Sequence, residues 1–147
     1  MSQRDGFLNK FPQMIMGPKA TLRQAMEVIT STQVGIVLVT DASKRLLGIV
    51  VDSDIRRALL RGDGMEVPVT RAMNPKPFVA DSRLPQPELA ALFREHRKAY
   101  IPLVDSKGRL VSLAGMGEHI APVPAHENWV VVMAGGQGRR LRPLTED

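Results

Sequence analysis

Two groups of residues have types and spacing suited to handling phosphates and sugar hydroxyls. The first is Ala134-Gly-Gly-Gln-Gly-Arg-Arg-Leu-Arg-Pro-Leu-Thr145, which follows directly on the apolar run Trp129-Val-Val-Val-Met133. A strand that delivers a glycine-rich turn lets backbone N–H groups approach phosphate oxygens, and the adjoining arginines supply charge for the same oxygens. The second is Asp54, at the end of Gly48-Ile-Val-Val-Asp-Ser-Asp54. A carboxylate at a helix start can accept hydrogen bonds from two neighbouring hydroxyls, yet it serves equally as an ordinary acid at the positive end of a helix. Other chemistries find little support. There are no cysteines, and the three histidines, His96, His119 and His126, are scattered, so no structural metal is expected. The glycine loop is not a P-loop, because no Gly-Lys-Ser/Thr follows it. A dinucleotide-binding reading lacks a crossover helix and second strand.

The elements that must position Asp54 form an internal repeat. Asp41-Ala-Ser-Lys-Arg-Leu-Leu-Gly48 recurs 64 positions later as Asp105-Ser-Lys-Gly-Arg-Leu-Val-Ser112. In the first copy Leu22, Ala25, Met26 and Ile29 make a helical stripe with Thr21 as N-cap. A buried strand over 35–40 follows, then a turn over 41–44 and a second strand over 46–51. Asp52 and Ser53 can cap a helix striped by Ile55, Ala58 and Leu59, and Gly62 suits its C-terminal end. The second copy runs through a helix with Leu89, Leu92 and Phe93, strands over 99–104 and 109–114, and a short helix over 117–120. One such unit exposes too much apolar sheet to stand alone, so the fold expected is α/β (α+β), with two pseudo-symmetric repeats packed sheet against sheet around a cleft. Gly62-Asp-Gly64, Pro75-Lys-Pro77 and Pro85-Gln-Pro87 punctuate the connector.

Composition narrows the function classes. The 147 residues carry a formal charge of +5, and 44% are apolar, enough for a real core. Up to Pro122 there are 17 basic and 12 acidic residues, with three of each after it, so the excess lies in the repeats. It is dispersed in ones and twos with few aromatics for stacking, which reads as a solvated surface rather than a nucleic-acid interface, a third reading that rests on the charge alone, while leaving one or two cations for a ligand's phosphates. No apolar run approaches the roughly 20 residues of a membrane span, and the N-terminus lacks the build of a signal peptide, so a cytoplasmic protein is expected.

The segments Thr21-Leu22, Gly35-Ile-Val-Leu-Val39 and Arg45-Leu-Leu-Gly-Ile-Val-Val-Asp-Ser-Asp-Ile-Arg-Arg-Ala-Leu59, with their second copy, resemble a tandem CBS domain pair, a Bateman module, over residues 7–122. The resemblance implies a sensor that binds adenosine nucleotides or related ligands between the repeats and regulates an attached enzyme or transporter. The expected ligands are AMP, ADP, ATP or S-adenosylmethionine. Asp54 would take the ribose hydroxyls, although Val51 stands where the family pattern has Thr or Ser. In the second copy Glu118 stands in place of the Asp. Family geometry would bring Pro77, Phe78 and Val79 to face Asp54, and residues 19–21, ending at Thr21, to face Glu118. Tyr100 and Ile101 would wall the base. For Phe78 and Tyr100 ordinary core packing is the competing reading, and for His96, Arg97 and Lys98 a fit to the negative end of a helix competes with phosphate contact. Such modules commonly pair, so a homodimer is expected, burying helix faces such as Ile55, Leu59 and Phe93 between chains.

The string from Trp129 to Thr145 resembles the N-terminal signature of sugar-phosphate nucleotidyltransferases, which join a nucleoside triphosphate to a sugar 1-phosphate and release pyrophosphate. That resemblance implies that Gly135, Gly136, Gly138 and Arg139 hold the nucleotide, that Arg140 stabilises the transferred phosphoryl group, and that the parent enzyme uses magnesium. The expected organisation is repeat 1 over 1–64, repeat 2 over 65–122, a linker over 123–128, and over 129–147 the truncated strand and glycine loop of a Rossmann-like catalytic domain. The chain itself is then expected to be no enzyme and to require no cofactor. It would be the regulatory module of a nucleotidyltransferase, with its own catalytic domain as partner. The competing reading is a ligand-free structural or dimerisation module of the same enzyme.

Overall fold

The computed structural model describes residues 12–119, with side chains as far as 117. A 3-10 turn, Pro12–Met14, enters β1 (Ile15–Met16), followed by α1 (Leu22–Thr32), β2 (Ile36–Thr40), β3 (Leu46–Val51) and α2 (Asp52–Leu60). A connector with a 3-10 turn at Val69–Arg71 leads to the second copy: β4 (Ala80–Asp81), α3 (Gln86–His96), β5 (Tyr100–Val104), β6 (Leu110–Gly115) and α4 (Met116–His119). Each copy builds a three-stranded sheet, β1-β2-β3 and β4-β5-β6, in which the first strand runs parallel to the central one and the hairpin is antiparallel. The leading strands β1 and β4 are additions to the expected helix, strand, strand, helix order.

The duplication is reproduced in detail. Both hairpins slip register at the same place, with Leu47 and Val111 as the extra residues. In both turns an aspartate closes the loop on its own backbone. Asp41 Oδ1 accepts from the N–H groups of Ser43 at 2.8 Å and Arg45 at 2.9 Å, and Asp105 Oδ1 accepts from Lys107 and Arg109 at the same distances. The residue that turns left-handed is Lys44 in one copy, at φ 61°, and Gly108 in the other, at φ 74°.

Alternation along β2 shows where the core sits. Val37 and Val39 point to α1 and α2, joining Leu22, Ala25, Ile55 and Ala58, while Ile36 and Leu38 point to the other sheet and meet Met14, Leu110 and Leu113. In the second copy Leu89 and Phe93 of α3 cover Ile101 and Leu103. The two hairpins are also joined backbone to backbone, Leu46 N–H to the Gly108 carbonyl at 3.0 Å and Leu110 N–H to that of Lys44 at 2.8 Å. The expected sheet-on-sheet pair is therefore the fold. Ile55 and Phe93, expected at a chain–chain interface, are instead interior, at 0% and 1% exposure, and Leu59 packs on the same core. Each stripe covers its own sheet. Pro85-Gln-Pro87 also differs from expectation: Pro85 caps α3 and Pro87 sits in its first turn, where a missing N–H costs nothing.

The connector is stitched to the first copy. Arg23 and Leu22 N–H groups donate to the Met65 and Val67 carbonyls, Val69 is buried against α1, and Asn74 exchanges both backbone hydrogen bonds with Ile49, at 2.8 and 3.1 Å. Asp63 anchors its start, accepting from Arg61 at 3.1 Å and Arg71 at 3.0 Å. No described helix is long and apolar enough to cross a membrane.

Among the described residues, three carboxylates are held below their ordinary range. The Arg71 guanidinium is the main cause at Asp63, with Arg61 adding to it. Arg83 holds Asp81 at about 2, through its side chain and then its backbone N–H. At Asp105 the backbone N–H of Arg109 leads. A group lowered in the folded chain contributes stability that is complete above its unfolded value, about 3.9, and disappears as pH falls through the folded value. Thermal melting is expected to be level from pH 7 to about 5 and to drop between about 4 and 2, less so in Asp81→Asn. A melting temperature unchanged down to pH 2 counts against these pairs.

Candidate functional site

The start of α2 is where backbone, charge and cavity converge. Val51 occupies the N-cap with extended backbone but has no side-chain acceptor. Asp54, three residues on, supplies the missing interaction: its Oδ2 accepts from the Val51 N–H at 3.0 Å, satisfying one of the donors that a helix start leaves open. Its Oδ1 accepts from the Arg57 guanidinium, one turn further along the same face. Asp54 is only 7% exposed, and both of its carboxylate oxygens have partners within the chain.

Asp54 lies in the wall of a cleft of about 320 Å³. The first copy contributes the entry to β2 (Val34, Gly35, Ile36), Ile49 and Val51 of β3, and Ser53, Asp54 and Arg57 of α2. The second contributes Lys98, Ala99 and Tyr100 at the entry to β5, and the connector adds Asn74. The entries to β2 and β5 are equivalent positions of the repeat, so the cleft lies across the pseudo-two-fold relation of the copies. A second hollow, about 400 Å³, lies on the outer side of α1 with Met26 and Met65 in its lining, but only one copy and its connector form it.

Of the residues singled out from sequence, Asp54, Val51 and Tyr100 come together in this cleft. Tyr100 also touches the sheet–sheet core, so its wall and core roles coexist. Pro77, Phe78 and Val79 do not line it; the entry segment of the second copy reaches the cleft through Asn74 instead. Phe78 packs on the core under α3, with the His96 ring 4.0 Å from its own. Ile101 is fully buried under α3. Thr21 caps α1 in a reciprocal box with Gln24, at 3.2 and 3.0 Å. Helix α3 ends in a left-handed cap at Arg97, and of His96, Arg97 and Lys98 only Lys98 lines the cleft. Glu118 falls in α4, with its side chain beyond the described ones, and Gly135, Gly136, Gly138, Arg139 and Arg140 lie outside the described residues. Among the described residues no cluster of acidic and histidine side chains could hold a metal ion.

Ser53, Arg57 and Asn74 were not anticipated. Arg57 was within reach of sequence reasoning, since an arginine three residues after a helix-start acid shares its face. Asn74 gives no such signal, because its position depends on how the connector crosses β3.

The CBS domain family model matches residues 14–61 and 68–115. Arabinose 5-phosphate isomerase GutQ of Salmonella typhi is 27% identical over 99 residues, 67% of this chain but 30% of that protein, so the chain spans less than a third of this curated relative. A putative acetoin utilization protein (AcuB) from Vibrio cholerae superposes with a TM-score of 0.66 at 24% identity, over 71% of this chain and 77% of that one. A CBS domain protein from Pyrobaculum aerophilum, complexed with AMP, does so with a TM-score of 0.63 at 24% identity, over 78% and 88% of the two chains.

Proposed function

The chain belongs to the CBS domain family, and from that premise we propose that its inter-repeat cleft binds an adenosine-bearing small molecule and reports it to an attached domain. The observation that carries this reading is the placement of Asp54, a nearly buried carboxylate at a helix start, in the wall of a cleft built from both copies. Ribose hydroxyls offered to Asp54 would exchange for part of its contact with Arg57, and Tyr100 and Ile36 give the base an apolar wall. The AMP complex of the Pyrobaculum protein supports an adenosine ligand. S-adenosylmethionine shares the adenosine part and is a second candidate.

Titration calorimetry with AMP, ADP, ATP and S-adenosylmethionine tests the reading. At least one is expected to bind saturably, and Asp54→Ala to weaken it by a factor of about ten or more, the value of a lost charge-assisted hydrogen bond. Circular dichroism on the variant controls for fraying of α2. No heat from folded wild type with any of the four would favour a structural module, the reading supported by the absence of a hydroxyl at Val51 and by the complete internal pairing of Asp54.

The parent protein is proposed to be a cytoplasmic sugar-phosphate nucleotidyltransferase using magnesium, on the strength of the strand, glycines, Arg-Leu and Pro-Leu-Thr that occur in order from Trp129 to Thr145. The curated relative is an isomerase of a sugar phosphate, so the module would serve different chemistries on related substrates. Pairing into a homodimer is part of the same proposal; with Ile55 and Phe93 interior, Leu60 at 83% exposure is a better anchor for it.

A further inference from the structure

We infer that the joined hairpin turns of the two copies form a separate ligand site, in which Arg45 and Arg109 hold a phosphate-type dianion across the seam between the repeats. The site is independent of the adenosine cleft. That cleft takes its lining from Val34, Gly35, Ile36 and Val51, whereas Arg45 and Arg109 precede β3 and β6 at the opposite end of the hairpins and have no part in its wall. The placement follows from the ladder that joins the turns. Leu46 N–H donates to the Gly108 carbonyl and Leu110 N–H to that of Lys44, so Arg45 and Arg109 face each other as the non-hydrogen-bonded pair of an antiparallel bridge. Residues opposed in this way carry their Cβ atoms on one face, about 4.5–5.5 Å apart. Leu46 and Leu110, the next residues along, enter the sheet–sheet core, so by alternation both arginines point outward, and both are exposed.

Like charges directly opposite each other cost stability, and this pair is not neutralised from within. The two turns carry Lys44, Arg45, Lys107 and Arg109 against Asp41 and Asp105. Both acids are committed to their own loops. Asp41 accepts from backbone N–H groups, and Asp105 accepts from backbone and from Arg109 Nε at 2.8 Å. Lys44, Arg45 and Lys107 have no carboxylate partner among the described residues. The contact of Arg109 runs through Nε, which leaves its terminal nitrogens to a ligand. A guanidinium presents its donors as a rigid fork, and two forks side by side suit a tetrahedral phosphate, whose oxygens can accept from both. A carboxylate would fill one fork and leave the other charge opposed. Because each arginine belongs to a different copy, the bound dianion ties the repeats together at the end away from the cleft.

The test is an amide NMR titration of the 147-residue chain at constant ionic strength and about pH 8, where phosphate is doubly charged. The probes are inorganic phosphate, glycerol phosphate and, as a monoanion, acetate. The amides of Leu46 and Leu110 are expected to shift saturably with both phosphates and not with acetate. Tighter binding of glycerol phosphate would mark an organic phosphate as the ligand, and equal or weaker binding would mark the free ion. Arg45→Gln should weaken binding about tenfold or more, while Arg94→Gln, an equal loss of charge on α3, should leave it intact. Thermal melting separates binding from folding. Free Arg45→Gln should be at least as stable as wild type, since an opposed charge is gone, but should lose the rise that phosphate gives wild type. Non-saturating shifts, equal shifts with acetate, an affinity untouched by Arg45→Gln, or shifts confined to the cleft around Lys98 overturn the site.

Discussion

Gly48→Ala is expected to cost about 3 kcal/mol or more, a large part of the stability of a domain this size, although the residue sits in a strand with unremarkable backbone. A Cβ at this position would lie 2.4 Å from the Asn74 carbonyl oxygen and 2.4 Å from Cγ of Met73. A methionine side chain can swing away, but the Asn74 backbone cannot without giving up its two hydrogen bonds to Ile49. Gly64, which has nothing within 4 Å of its missing Cβ, is the control: Gly64→Ala should be within about 0.5 kcal/mol of wild type. Urea unfolding of the two variants decides the matter, and equal midpoints would show that the connector does not need the gap at Gly48. The substitution should weaken ligand binding as well, since the same connector carries Asn74 into the cleft.

Gly48 also illustrates what could be read in advance and what could not. As the first member of a glycine, apolar, apolar pattern it marked a ligand site, whereas its contacts assign it to the seam between connector and strand. The apolar runs located β2 and β3 to within a residue, and the stripes marked α1, α2 and α3 as helices, because each is long enough for a pattern to repeat. Strands β1 and β4 escaped for the opposite reason: with two residues each they have no pattern, and they exist because a neighbouring strand offers an unpaired edge. The stripe on α2 correctly marked a helix, but nothing in a stripe says whether its cover is the molecule's own sheet or another chain, and Ile55 and Phe93 were accordingly misassigned to a dimer face.

At the candidate site, Asp54 was legible through its place in a motif, and Tyr100 through what the family resemblance implies for the wall of the cleft. Pro77, Phe78 and Val79 were expected beside Asp54 on the supposition that the entry segment crosses just before its strand. The crossing occurs at Asn74 because the gap over Gly48 is there, and by Phe78 the chain has already dropped into the core under α3. A register set by one missing Cβ in another repeat is not written locally in Asn74 or Pro77.

The second large effect concerns the sheet–sheet layer. Leu113→Ala should cost 2–5 kcal/mol, the range for a buried leucine, because Leu113 is 2% exposed between the sheets among Met14, Ile36 and Leu38. Two positions earlier on the same strand, Val111→Ala should cost well under 1 kcal/mol, since that side chain is 44% exposed. The informative readout is where the lost stability appears. Each copy has one helix-covered face and one face that meets the other copy, so neither sheet keeps its full interior when they separate. Hydrogen exchange in Leu113→Ala should therefore accelerate at Val37 and Val39 of the first copy as much as at Ile101 and Leu103 of the second. Faster exchange confined to the second copy would mean that the repeats open independently. A cleft lined by both could then be lost by parting them, with each still folded. Matched acceleration would mean that the cleft is as stable as the fold itself, so that a small molecule held by both copies would raise the melting temperature of the whole module.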